Sequence, residues 1–250
     1  MGFLDFIGSA MNAKRGLSAS DGLTHFLKEI AEPEFADYCQ KGTWLERYWP
    51  REHPARIAFE SKDYASAIRG WSSAASSGDA LAQYALGAVF DEAGEIEEAK
   101  RWYELAASNG VPEAQNALGV IYDAGEGVPI DYALASNWYS KAAKLGDGTA
   151  LSNLGAMYES GHGVCQNQDL AIRYYHAGAK QGDGAAAFNV GLYFQNTIHN
   201  YRAATLWYSI AFELGCFEAM ENFQELRRRA LIPKDLFPKL GLKPILPHEF

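Results

Sequence analysis

Histidine, cysteine and closely spaced carboxylates are the side chains that would give this chain metal or nucleophilic chemistry. Its six histidines stand at positions 25, 53, 162, 176, 199 and 248, and its three cysteines at 39, 165 and 216. A zinc site needs such residues at short, fixed spacing, as in His-Glu-x2-His or Cys-x2-Cys. Neither pattern occurs, so no metal is expected. No Walker loop, dinucleotide fingerprint or Gly-x-Ser-x-Gly elbow is present either, and no cofactor or catalytic nucleophile follows from the sequence. Gly125-Glu126-Gly127 and Gly161-His162-Gly163 are glycine turns that join helical stretches rather than loops that cradle phosphate. His162 is expected to be solvated in its turn, His176 to follow Tyr174-Tyr175 on a helix, and His199 to lie in a short turn.

The elements around these residues are helical hairpins. From Ala114 to Gly146, the residues Ala114, Leu118, Ile121 and Tyr122 share one helical stripe. Ala135, Trp138, Tyr139 and Ala142 share a second. Between them, Ala124-Gly125-Glu126-Gly127-Val128-Pro129 stops one helix and reverses the backbone. A lone hairpin cannot bury two apolar faces, so copies are required.

Leu86-Gly87, Leu118-Gly119, Leu154-Gly155 and Val190-Gly191 recur at intervals of 32, 36 and 36 residues. The downstream aromatic pairs begin at Trp102, Trp138, Tyr174 and Trp207, at intervals of 36, 36 and 33. Helix-ending glycines recur at 78, 110, 146, 182 and 215. Small residues such as Gly119 and Gly155 are expected to let paired helices approach closely, and length variation falls in the turns.

Composition supports a packed globular chain: 48% of its 250 residues are hydrophobic and 13% aromatic, too many for a disordered one. Three scattered cysteines do not form a disulfide framework, so a reduced, cytoplasmic setting is expected. The net charge is −9, and it is concentrated. Residues 57 to 218 hold 9 basic and 19 acidic side chains, against 7 and 8 before them and 6 and 4 after. Nucleic acid is therefore excluded as a partner of the central region, and a basic or neutral protein is favoured. The apolar start from Phe3 to Met11 lacks a basic region before it and is interrupted by Asp5. It reads as a helix docked on its own domain rather than a signal peptide or a membrane anchor.

Three regions follow: an irregular helical cap over 1–56, a repeat array over 57–218, and a closing helix with an extended tail over 219–250. Within the cap, 21–38 reads as a helix broken at Pro33, and 43–49 as a capped turn whose Trp44, Tyr48 and Trp49 cover the open end of the array. The array comprises a partial unit 57–78 and full units 79–113, 114–149, 150–185 and 186–218. In the closing helix Phe217, Ala219, Met220, Phe223 and Leu226 are expected to pack on the fourth unit, with Arg227, Arg228 and Arg229 at its end.

The order Ala-x3-Leu-Gly-x2-Tyr, Gly-x-Gly-Val, Ala-x2-Trp-Tyr and Ala-Ala-x2-Gly resembles the Sel1-like repeat, a relative of the tetratricopeptide repeat. The resemblance spans about 57 to 225 and implies an all-α, right-handed superhelical solenoid. It also implies a non-catalytic scaffold or adaptor that binds a protein or peptide on the concave face formed by the first helix of each hairpin. On that face, two positions before each leucine or its equivalent, stand Tyr84, Asn116, Ser152 and Phe188, with Asn153 and Asn189 beside them. After each leading aromatic stand Asp91, Asp123, Glu159 and Gln195. The amides suit a peptide backbone and the acids suit Lys or Arg of a partner. Similar bacterial proteins include immunity partners of secreted toxins. β-Lactamase-like relatives carry disulfide-paired cysteines within each repeat, which this chain lacks.

Overall fold

The computed structural model describes residues 19–33, 43–229, 231–233 and 236. Among these the chain forms thirteen helices and no strand. α1 is Ala19–Glu29, α2 Trp44–Tyr48, α3 Pro54–Glu60 and α4 Tyr64–Ser76. The repeats follow as the pairs α5 (Ala80–Glu92) with α6 (Ile96–Ser108), α7 (Pro112–Ala124) with α8 (Tyr132–Lys144), α9 (Gly148–Ser160) with α10 (Gln168–Lys180), and α11 (Gly184–Asn196) with α12 (Tyr201–Glu213). α13 is Ala219–Arg228. The all-α hairpin array read from the sequence is present.

Regular capping sets these lengths. The side chains of Asp63, Asp79, Asp131, Asp147, Asp183 and Asn200 each accept a hydrogen bond from the backbone N–H three residues on. This satisfies one of the donors that a helix start leaves orphaned. α7 instead begins with Pro112, whose missing N–H costs nothing at that position. The helices from α4 to α12 each run for 13 residues.

The chain divides into two compact units, residues 41–171 and residues 1–40 with 172–250. In the first, Trp71 is fully buried with Ala67, Leu86 and Val89. Trp44 packs on Phe59, Trp71 and Tyr84, with ring centroids 5.7, 6.3 and 5.0 Å apart, and Trp49 lies 5.6 Å from Trp71. The aromatic turn therefore packs on α3, α4 and α5. Arg56, only 5% exposed, holds it there. Its guanidinium donates to the carbonyls of Leu45 and Trp49 at 3.3 and 2.8 Å and pairs with Glu60 at 2.8 Å.

In the second unit the indole of Trp207 donates to the carbonyl of Ile30 at 2.8 Å, and Glu32 pairs with Arg202. α1 ends at Glu29 rather than reaching Pro33: Ile30 is buried, and its carbonyl is given to Trp207. Phe217 corrects another expectation. It lies before α13, 74% exposed, and meets Phe212 edge-on at 5.8 Å instead of entering the core, while Ala219 and Leu226 are buried. Ile232 and Leu236 are also buried. The apolar start, residues 34–38, Cys39, His248 and most of the tail lie outside the described residues.

Candidate functional site

Three glycines of the recurring pairs, Gly87, Gly119 and Gly191, each make room for a tyrosine ring from the second helix of the hairpin. A Cβ on Gly87 would stand 2.4 Å from the ring of Tyr103, one on Gly119 2.4 Å from Tyr139, and one on Gly191 2.6 Å from Tyr208. Ordinary carbon contacts lie at roughly 3.5–4.0 Å, so only glycine fits. Each ring then places its hydroxyl one helical turn beyond the glycine. Tyr103 donates to Asp91 at 3.0 Å, Tyr139 to Asp123 at 3.4 Å, and Tyr208 to Gln195 at 2.9 Å. Burial raises all three phenols above their ordinary range, so they stay neutral donors. Burial also raises the Asp91 carboxyl, and the Tyr103 hydrogen bond opposes that rise.

The residues singled out in the sequence fall into distinct surroundings. Tyr84 is buried in the core, and Ser152 is buried too. Asn153 donates its amide to Asn116 at 3.1 Å, joining α9 to α7. Glu159 is exposed. Phe188 is half-buried against Tyr208, with centroids 5.7 Å apart, and Asn189 and Gln195 are half-buried. His162 is exposed as expected, yet its ring stacks on Tyr132 at 4.5 Å. Cys165 and Cys216 are free thiols. Among the described residues no group of three or more His, Cys, Asp and Glu side chains is arranged to hold a metal ion, and no helix is long and apolar enough to cross a membrane.

Tyr84, Asp91 and Asn116 come together around one cavity of about 510 Å³ in the first unit. Asp123, Ser152, Asn153 and Glu159 are not among its lining residues. α7 supplies Glu113, Asn116, Ala117 and Val120, a stripe with helical spacing, and α2 closes one side with Trp44 and Arg47. Asp147 and Thr149, at the start of α9, and Glu126 complete the polar rim.

Glu113 is the residue that the sequence did not disclose. Its side chain is 7% exposed. Its Oε1 receives the guanidinium of Arg47 at 2.9 Å and the hydroxyl of Tyr48 at 3.0 Å, while Oε2 is buried with no hydrogen-bond partner. Burial raises the Tyr48 phenol first, and the charge of Glu113 adds to it. The Tyr84 phenol is raised far above its usual range by burial, then by Glu113 and Asp147. In the sequence, Glu113 looks like an ordinary acid in a first helical turn. Its position three residues before Asn116 was the available signal, but the partnership with Arg47 and Tyr48 spans more than sixty residues.

The profile of the Sel1 repeat matches residues 80–111, 112–147, 148–183 and 184–216. Among solved structures, a Sel1 repeat protein from Oxalobacter formigenes is similar at 27% identity and a TM-score of 0.62, over 76% of this chain and 80% of that one. A protective antigen of uropathogenic Escherichia coli with an SLR fold aligns at 22% identity and 0.55, over 88% and 47%. An immunity protein from Pseudomonas aeruginosa aligns at 21% and 0.51, over 71% and 72%. A search of curated proteins finds no match.

Proposed function

Because this chain belongs to the Sel1 repeat family, we propose that it is a non-catalytic, cytoplasmic interaction scaffold whose protein partner docks on the first helices of the hairpins. The observation that carries this reading is the cavity that brings Tyr84, Asp91 and Asn116 together with further carboxylates. An acidic, aromatic-walled recess among stacked helices suits basic residues of a partner. Asp123 and Glu159 extend the acidic row along α7 and α9.

The test is capture of the partner from the native cell, followed by affinity measurement on the purified pair. Substituting Asp91→Asn, Asp123→Asn and Glu159→Gln together removes the negative row while leaving acceptors for Tyr103 and Tyr139. Binding is expected to weaken at least tenfold and to lose most of its salt dependence. Unchanged affinity overturns the acidic assignment, and a chain that recovers no specific partner overturns the scaffold reading. The likeness to the Pseudomonas immunity protein concerns the fold. Neutralisation of a toxin is the narrower role that the captured partner would decide, because a secreted toxin as the specific partner selects it.

A further inference from the structure

Three buried nitrogens lie on adjoining rings where α2, α3 and α4 join. Trp49 is the C-cap of α2, His53 is the N-cap of α3, and Trp71 lies within α4, fully buried. Nε1 of Trp49, Nε1 of Trp71 and Nδ1 of His53 are each closed to solvent and have no hydrogen-bond partner among the described residues. His53 does not turn its side chain to cap α3 either. The three rings touch one another: centroids lie 4.7 Å apart for Trp49 and His53, 5.6 Å for the two tryptophans, and 6.1 Å for His53 and Trp71. A folded core leaves few such groups unpaired, because each has lost its water without gaining a bond. Three on adjoining rings call for one common cause.

His53 and Trp71 stack with planes only 7° apart, so their in-plane nitrogens run side by side and neither faces the other. A molecule at the edge of the stack can bond both. One that holds two nitrogens at about 2.9 Å each spans up to about 5.8 Å, close to the spacing of these rings. The set comprises two donors, the indole N–H groups, and one acceptor, the unprotonated Nδ1. A cation is repelled by the two N–H groups, and an anion finds no donor in Nδ1. The buried guanidinium of Arg56 is engaged by the carbonyls of Leu45 and Trp49 and by Glu60. Water matches the set, since it accepts two bonds and donates the third.

We propose that α2, α3 and α4 enclose a site for one water molecule, which accepts from the indoles of Trp49 and Trp71 and donates to Nδ1 of His53. The bond to Nδ1 puts the proton of the neutral imidazole on Nε2. The water joins the end of α2 to α3 and α4, beside the Arg56 clamp, and it leaves only when these elements part.

The test uses the full chain labelled with nitrogen-15, in mildly basic buffer. Both indole protons are expected to show cross peaks to water that change sign between the laboratory and rotating frames. That sign change marks a molecule held longer than the chain takes to tumble, whereas proton exchange keeps one sign. The ring nitrogens of His53 should report the Nε2–H tautomer. His53→Phe keeps a stacking ring and removes the acceptor. Both cross peaks should disappear in this variant, and oxygen-17 relaxation dispersion should lose the amplitude of one long-lived water. Absence of the cross peaks in the parent, the Nδ1–H tautomer, or peaks that survive in His53→Phe overturns the site. Indole protons shifted upfield without a water peak would make neighbouring rings their acceptors, which overturns it as well. If His53→Phe fails to fold by circular dichroism, the cross peaks and tautomer of the parent decide alone.

Discussion

At the scale of single residues, the glycine, the tyrosine and the polar side chain one turn further on act as one device. The glycine opens a slot, the ring fills it, and the hydroxyl is fixed by Asp91, Asp123 or Gln195. Gly119→Ala places a methyl where the Tyr139 ring already lies, 2.4 Å away. Overpacking of this kind costs about 1–3 kcal/mol, so the urea midpoint should fall accordingly, and Gly119→Ala with Tyr139→Leu should recover part of the loss. Tyr103→Phe tests the other end. It keeps the ring but removes the donor to the half-buried Asp91 carboxylate, whose pKa is already raised by burial and held back by that hydrogen bond. The Asp91 carboxyl should therefore titrate at higher pH in the variant, read by carbon-13 carboxyl shifts, with about 1 kcal/mol of stability lost at neutral pH. An unmoved Asp91 titration would detach the acid from the tyrosine.

At the scale of elements, helices stand where caps, turns and apolar stripes agree. The intervals between Leu-Gly pairs, the aromatic pairs downstream of them and the glycines after the helices made the hairpin array legible, because each signal is local. Phe217 was misplaced for the opposite reason. It matches the stripe of a helix, but the turn after Gly215 starts α13 only at Ala219 and leaves the ring outside. The cavity was legible only in part: Tyr84, Asp91 and Asn116 follow from the repeat, whereas Glu113 acquires its role from α2, a segment without the period. α2 itself has five residues, too few to persist alone. Its capping box joins Thr43 and Glu46, and Arg56 collects its terminal carbonyls. Arg56→Gln should therefore loosen α2 before it unfolds the array. Limited trypsin digestion should cut after Arg47 and Arg51 at least tenfold faster than in the parent chain, with the helical signal retained. Equal cleavage rates would show that the aromatic packing of Trp44 and Trp49 suffices without the guanidinium.

At the scale of the whole molecule, the response to acid follows from a buried histidine in the second unit. His176 lies between Phe26 of α1, at 5.3 Å, and Trp207 of α12, at 5.7 Å. Arg173 stands over the Phe26 ring at 4.6 Å. Burial holds the imidazole neutral and lowers its pKa from 6.5 to about 4; Lys180 adds to this and Glu29 opposes it. Above pH 6.5 the ring is neutral whether the chain is folded or not, so it contributes no pH dependence there. As the pH falls from 6.5 towards 4, the unfolded chain takes up a proton that the folded one refuses, and stability drops. Below about 4 both states are protonated and the loss levels off. The full effect is on the order of 3 kcal/mol, a large share of the stability of an ordinary domain. Urea denaturation at pH 7.5 and 4.5 should show the parent losing about 2–3 kcal/mol more than His176→Phe, since carboxylates common to both titrate equally and cancel in the difference. Equal losses in the two chains would mean that the imidazole reaches water in the folded state. The packing of α1 on α12 through Ile30 and Trp207 would then not seal it.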